Sequence, residues 1–210
     1  LKSCPFIRNC VPFIVSIHSM FFHKQWLGLN PFKWCAFYRI KRALKAASGF
    51  RAVNGKIQDQ LRRWGLEQPV LVEPTPVDTE KFFVAEKKPN AVPIILFVGR
   101  LSAEKNVALL IRAFLELEEP AILKIVGDGP QRAWLQKRVA DTKGIEFLGH
   151  KSHEDLMELY ESADIFVLPS NTESFGWVML EDAAAKCAIV ATRPPGASAI
   201  IQDGKTGILI

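Results

Sequence analysis

The residues of this chain best suited to chemistry are two carboxylates and two cations. Glu173 and Glu181 lie eight positions apart, the first in the polar loop 169–174 and the second in the helix-forming stretch that follows. Ionised carboxylates only accept hydrogen bonds, so a pair of them suits the hydroxyls of a sugar. Arg100 and Lys105 follow the apolar run 94–98. One offers a planar fork of donors and the other a mobile point charge, a combination that suits a diphosphate. Between the carboxylates, Ser174, Phe175 and Gly176 stand at a helix start, where free N–H groups and the positive end of the macrodipole favour an anion. Together these residues describe a pocket for a ligand that carries both sugar hydroxyls and phosphate. Each also has a plainer reading. An acidic residue in a helix's first turn is ordinary dipole compensation worth about 0.3 to 1 kcal/mol. A second Glu two turns on is often a solvated face, and Arg100 and Lys105 read equally as surface cations. A cation near a helix start opposes the dipole, however, and needs another reason to be there.

The elements that must position these residues follow from the apolar pattern. Residues 164–168 and 188–192 read as buried strands, with a helix opening at Phe175 or Gly176 between them. From Pro93 onward the alternation is regular, with strands at about 94–98, 121–126, 145–148, 164–168, 188–192 and 206–210 separated by helix-length segments. Val107, Leu110, Ile111, Phe114 and Leu117 make one helical stripe; Leu156, Leu159, Tyr160 and Ala163 make another. Alternating strand and helix implies right-handed crossovers and a parallel sheet covered on both faces. Loops at the carboxyl ends of such strands are where ligands bind. A dinucleotide enzyme would carry G-x-G-x-x-G after the first strand. Gly99 is followed instead by Arg100 and Lys105, which argues against a nicotinamide cofactor. The stretch Gly127-Asp128-Gly129-Pro130 reads mainly as a tight turn, with Gly127 as a candidate neighbour of the nucleotide.

The first part of the chain is built differently. Residues 11–17 form a strand-length apolar run with His18 at its carboxyl end, again where a sheet delivers ligands. Residues 30–47 predict a helix with Asn30 as N-cap and Pro31 at its first position. Phe37, Ile40, Leu44 and Ala47 form its apolar stripe, while Arg39, Lys41, Arg42 and Lys45 fall away from it. A strand at 50–53, a helix capped by Asn54 and ended by Gly65, and a strand at 69–73 follow. Residues 86–91, charged and Pro-containing, read as a linker.

Residues 1–90 hold 15 Lys plus Arg against 6 Asp plus Glu, or +9, and residues 91–210 hold 12 against 16, or −4. The basic surface is therefore confined to the first part and points to an anionic partner. No zinc-finger, RRM or helix-turn-helix signature is present, so nucleic acid is not expected. The basic helix reads as a core helix with a solvated face or as a docking element for an anionic membrane surface. The cysteines at 4, 10, 35 and 187 show no metal-ligand spacing and read as reduced, mostly buried thiols of a cytoplasmic protein. The run 11–22 is too short to span a bilayer. The chain lacks an initial Met and stops within a strand-like stretch, as a fragment cut at both ends would.

Two motifs carry a family resemblance. E-S-F-G-x-x-x-L-E after a strand ending L-P-S, and V-G-R-L-x-x-E-K-N at 98–106, resemble the retaining, nucleotide-sugar-dependent family 4 glycosyltransferases of GT-B fold, whose E-x7-E signature matches Glu173 and Glu181. The resemblance runs from about Phe13 to the end and is strongest from Ile94. It implies an α/β fold of two Rossmann-like domains with parallel sheets, the first incomplete: residues 1–88 from the acceptor-side domain and 89–210 from the donor domain. It implies a sugar moved from a UDP- or GDP-sugar to a glycan or lipid-linked acceptor with retention, the nucleotide sugar being substrate and no cofactor being needed.

The resemblance also assigns roles. Arg100 and Lys105 would contact the diphosphate, Glu181 the ribose, Glu173 the transferred sugar, and the backbone at Phe175 and Gly176 sugar and phosphate. Gly99 and Ser174 would complete the donor site, and His18 would lie near the sugar. Metal-dependent glycosyltransferases commonly use D-x-D, which occurs nowhere here; no metal is expected. Lys186 stands where the family usually has Gly, Ala188 where it has Pro, Pro195 for the first Gly of a Gly-Gly pair, and Ala199 for a frequent Glu. A nucleotide-sugar epimerase of the same fold and an inactive binding module remain the alternatives.

Overall fold

The computed structural model describes residues 12–18, 30–74, 80–83, 86–87, 89–173, 176–194 and 196–210. It divides the chain into two compact units, 1–75 and 76–210. In the first, β1 (Ile14–Ile17), β2 (Gly49–Ala52) and β3 (Val70–Val72) form a parallel sheet in the order β1-β2-β3. Helix α1 (Pro31–Leu44) follows β1, and α2 (Gly55–Arg63) connects β2 to β3. Both caps expected from sequence are present. Asn30 Oδ1 accepts from the N–H of Phe32 and of Lys33, and Asn54 Oδ1 accepts from Ile57 N–H at 2.9 Å. Helix α2 buries Ile57 and Leu61, and Gly65, at φ 70°, ends it. None of α1 is fully buried, so its expected apolar stripe is only half sheltered: Phe37 and Leu44 are partly covered and Ile40 is exposed.

The second unit is a six-stranded, wholly parallel sheet of β4 (Ile94–Val98), β5 (Ile122–Val126), β6 (Ile145–Gly149), β7 (Ile165–Leu168), β8 (Ala188–Ala191) and β9 (Ile208–Leu209). Their spatial order is β6-β5-β4-β7-β8-β9. Helices α3 (Val107–Leu115), α4 (Arg132–Arg138), α5 (His153–Ser162), α6 (Trp177–Ala184) and the short α7 (Ala197–Ile200) make the connections. Because side chains alternate across a strand, β4 feeds two cores. Ile95 and Phe97 pack with Leu110 and Ile111 of α3 and Leu135 of α4. Leu96 packs on the opposite face with Tyr160, Phe166, Met179 and Ile189. The α/β fold with parallel sheets expected from sequence is the fold observed.

Several boundaries differ from expectation. Helix α3 ends at Leu115, so Leu117 is exposed beyond it rather than part of the stripe. Helix α6 opens at Trp177, with Gly176 at φ 77° as its N-cap. The last strand is shortened to Ile208–Leu209. The units part between 75 and 76 instead of after 88. Phe82 is buried in the core of the second unit, and the expected linker is tied to it: Lys87 Nζ donates to the carbonyls of Tyr160 and Ala185, and Asn90 Nδ2 to Asp164. Residues 75–79 and Pro195 lie outside the described residues. So do Cys4 and Cys10; Cys187 is buried, whereas Cys35 is exposed.

The C-terminus of α6 explains one departure from the family pattern. Lys186 N–H donates to Ala183 O at 3.1 Å and Cys187 N–H to Asp182 O at 3.3 Å, the two bonds of a Schellman motif. That motif puts Lys186 at φ 58°, a left-handed conformation costly for a residue with a Cβ. Its Nζ lies 5.5 Å from the Phe83 ring centroid, a partial compensation. Lys186→Gly should therefore stabilise the fold by about 0.5 to 1 kcal/mol, measured by urea unfolding. An unchanged or lower midpoint would show that the Phe83 contact outweighs the strain.

Candidate functional site

Strand order decides where the site lies. From β4 the chain proceeds outward one way to β5 and β6, and it then returns to the other side of β4 to lay down β7, β8 and β9. The loops leaving the carboxyl ends of β4 and β7 therefore diverge from adjacent strands, and the crevice between them is the topological switch point at which open α/β sheets bind ligands. Arg100 and Lys105 lie after β4, and Glu173 lies after β7.

The structure brings Lys105 and Glu173 together. Lys105 Nζ and Glu173 Oε2 are 2.5 Å apart, with side chains 21% and 14% exposed. This pair supplies the reason for a cation near a helix start. A second link runs alongside, from Asn171 N–H to Glu104 O at 2.8 Å. Glu173 O in turn accepts from Gly196 N–H at 2.8 Å, tying in the loop after β8. The Arg100 side chain is exposed and has no hydrogen bond or ion pair among the described residues. Its guanidinium N–H groups, unpaired among the described residues, are donors on the same loop as the paired Lys105 ammonium.

The glycines act on the backbone. Gly127, at φ 123°, presses against the carbonyl of Gly99, where a Cβ would collide. The Gly99 N–H donates to Val126 O at 3.0 Å, Leu101 N–H to Asp128 O at 2.9 Å, and Gly127 N–H to Gly149 O at 2.7 Å. The loops after β4, β5 and β6 are thus stitched into one floor. Gly176 is buried at the start of α6, where a Cβ would meet the Met179 side chain and approach Glu173 Cγ at 3.3 Å. Ser174 and Phe175 lie outside the described residues.

Glu181 is partly buried on α6, and its Oε2 accepts from the hydroxyl of Tyr160 on α5 at 3.1 Å. Sequence reasoning placed Tyr160 in an apolar stripe; nothing in that pattern signals where its hydroxyl points. In the first unit, His18 follows β1 and is exposed, its Nε2 3.0 Å from Ser16 Oγ. Ser16 Oγ also accepts from Arg51 at 3.5 Å, and Arg51 pairs with Glu73 at 3.0 Å. Four polar residues from three strand ends meet there. Among the described residues, no group of three or more His, Cys, Asp or Glu is arranged to hold a metal ion.

Beneath Glu181 lies a buried group of ionisable side chains that sequence gave no reason to expect. Lys87 Nζ donates to Tyr160 O, Ala185 O and Cys187 Sγ at 2.8–3.0 Å, and the Cys187 thiol donates to Tyr160 O and Ala163 O. An ammonium at the carboxyl ends of α5 and α6 complements both dipoles. Burial pushes the Cys187 thiol up to about 12. Asp182 is fully buried and, among the described residues, neither carboxylate oxygen has a partner in hydrogen-bond geometry. Burial raises its pKa to about 7, against the opposing pull of Cys187 and Lys87.

Asp182 therefore takes up a proton on folding between the ordinary carboxylate pKa and about 7. Its contribution to stability is greatest below that ordinary value, is lost as pH rises toward about 7, and changes no further above it. Asp182→Asn, which cannot ionise, should gain on the natural protein as pH rises through this window. Thermal unfolding at pH 5 and pH 8 checks this; the variant's advantage should be larger at pH 8, and a difference independent of pH would contradict the assignment.

Comparison with known proteins agrees with this geometry. Residues 78–210 match the family model "Glycosyl transferases group 1". Sulfoquinovosyl transferase SQD2 of Arabidopsis thaliana is 37% identical over 120 residues, which are 56% of this chain and 23% of that protein. Alpha-D-kanosaminyltransferase of Streptomyces kanamyceticus is 28% identical over 228 residues, covering 95% of this chain and 57% of that protein. The chain thus spans less than two thirds of these relatives. Anabaena Alr3699/HepE in complex with UDP-glucose superposes with a TM-score of 0.79 at 19% identity, over 95% of this chain and 58% of that one, a likeness of GT-B fold. With its family model covering the whole second unit from residue 78 and the switch-point crevice built from that same stretch, the chain belongs to the group 1 glycosyl transferases.

Proposed function

We propose that this chain is part of a retaining, metal-independent glycosyltransferase of the family 4 type. It would move a sugar from a UDP- or GDP-sugar to a glycan or lipid-linked acceptor, with the second unit as donor domain and the first as part of the acceptor side. The carrying observation is the Lys105–Glu173 pair, which joins the loops after β4 and β7 across the crevice, with the exposed Arg100 on the same loop as Lys105. Support for a nucleotide sugar comes from the neighbour solved with UDP-glucose, and the resemblance of the Glu173–Glu181 stretch to the family 4 pattern supports both the donor class and retention. In this reading Arg100 and Lys105 receive the charge that grows on the leaving diphosphate, helped by backbone N–H groups at the start of α6. Glu173 orients the sugar and Glu181 holds the ribose; for a role of His18 near the sugar the support is the family resemblance alone. Proton transfer falls to the donor phosphate, which takes the acceptor's proton as the new bond forms. The absence of D-x-D motivates metal independence.

Helix α1 supports peripheral docking on an anionic membrane surface; the cytoplasmic side is favoured only by the cysteine pattern of the sequence. Phe32 and Tyr38 are 84% and 62% exposed on a helix that also carries Lys33, Arg39, Lys41 and Arg42. Among the described residues no helix is long and apolar enough to cross a membrane.

Nucleoside diphosphate release from a panel of UDP- and GDP-sugars, with the complete protein and candidate acceptors, tests the reaction. Activity should persist in EDTA, and Arg100→Ala should lower kcat by about 10² to 10³ with a smaller effect on KM. Arg100→Lys should be poorly tolerated because the fork is lost, and Lys105→Arg better tolerated. Loss of activity in EDTA with rescue by Mg²⁺ or Mn²⁺, or a wild-type rate in Arg100→Ala, would overturn the mechanism; conversion of the donor sugar without transfer would indicate an epimerase. For the membrane, co-sedimentation with anionic vesicles should exceed that with neutral ones and fall with salt, each docked cation contributing about 1 kcal/mol. Equal binding to both vesicle types would remove the electrostatic docking proposal.

A further inference from the structure

Tyr160 stands out as a buried polar group aimed at a residue of the candidate site. Its side chain is fully buried, its ring lies edge-on to Phe82 at 5.6 Å and tilted against Phe166 at 6.2 Å, and its carbonyl accepts from both Lys87 and Cys187. Ring and backbone are therefore both fixed, and so is the position of the hydroxyl. That hydroxyl donates to Glu181 Oε2 at 3.1 Å. Burial and the neighbouring Glu181 charge hold the phenol's pKa well above its usual value, so the oxygen keeps its proton and remains a donor.

A core needs no hydroxyl here. Phe would fill the same space beside Phe82 and Phe166, whereas a buried O–H without a partner would carry its full desolvation penalty. The partner it finds lies across a helix–helix contact, on α6, in a side chain that is itself only partly buried. A glutamate has several rotatable bonds and, left alone on a partly exposed helix face, would sample several rotamers. A donor fixed in the core holds one carboxylate oxygen and leaves the other free to accept.

We infer that Tyr160 is a positioning residue that aims the Glu181 carboxylate at the ribose of the donor nucleotide. The inference rests on the assignment of Glu181 to the ribose under Proposed function. Holding Oε2 on the phenol restricts Oε1 to one direction, so the hydroxyl acceptor is organised before the nucleotide arrives.

The test is a comparison of ribo- and 2′-deoxyribonucleotide binding by the complete protein, using UDP, GDP and their deoxy counterparts in calorimetric titrations. The natural protein should prefer the ribo form, and Glu181→Ala should abolish that preference. Tyr160→Phe should reduce it by about 5-fold, leave affinity for the deoxy form unchanged, and keep the unfolding midpoint within a few degrees. Phe82→Leu, which loosens the ring's packing but retains the O–H, should lower the midpoint and keep the preference. A preference that survives Glu181→Ala would remove the ribose assignment itself, and the inference with it. If Glu181→Ala loses the preference but Tyr160→Phe keeps it, Glu181 is aimed without Tyr160 and the inference alone fails. Equal weakening of both nucleotide forms, collapse of the fold in Tyr160→Phe, or loss of the preference in Phe82→Leu would show a role in packing only and would also overturn it.

Discussion

The pairing of Lys105 with Glu173 is the interaction on which the crevice depends. A lysine between a strand end and a helix start sits in an unfavourable field, and a glutamate in a loop packed under the next strand connection is partly stripped of water. At 2.5 Å, each compensates the other. The pair is mostly shielded, so its Coulomb attraction is screened less than that of a surface pair. Because one partner follows β4 and the other follows β7, the ion pair spans the place where the strand order reverses and fixes the two loops relative to each other. The backbone bond from Asn171 to Glu104 does the same a few residues away.

Around that pair the second unit is layered by function of position. The glycines at 99 and 127 allow three loops to touch through their backbones and make the floor. Helix α6 carries Glu181 and is held at both ends, by the buried Gly176 at its start and by the Schellman motif with the Lys87 ammonium at its finish. Tyr160 joins α5 to α6 at the level of the acceptor carboxylate. Asp182 on this helix has no hydrogen-bond partner among the described residues and Lys186 just past its end is strained, so its hold on Glu181 is not the most stable arrangement the backbone could have. Sites that bind and release ligands commonly carry such local compromise.

The first unit has another character. Its sheet is short, its helix α1 is only half covered, and polar residues from three strand ends gather as Ser16, His18, Arg51 and Glu73. The charge asymmetry between the two parts of the chain thus corresponds to two differently built surfaces. One is a basic, aromatic helix, and the other is an acidic Rossmann-like body with a small cationic crevice.

Much of this was legible in the sequence because it depends on local rules. Asn30 and Asn54 as caps, Gly65 as a stop, and the apolar runs at β4, β5, β7 and β8 follow from dihedral preference and period, which act over a few residues. The likeness of the stretches around Arg100 and Glu173 to a known family identified the candidate site by type. Helix ends were less legible, since Leu117 continues an apolar pattern after the backbone has left the helix at Leu115. Strand order could not be read at all. It is set by which faces are buried against which helices, and it alone makes the loops after β4 and β7 neighbours and so lets Lys105 meet Glu173. The same holds for Lys87, which looks like linker charge until two helix ends converge on it. It holds too for Tyr160, whose ring belongs to a stripe any sequence reading finds, while the aim of its hydroxyl is decided only when α5 packs beside α6.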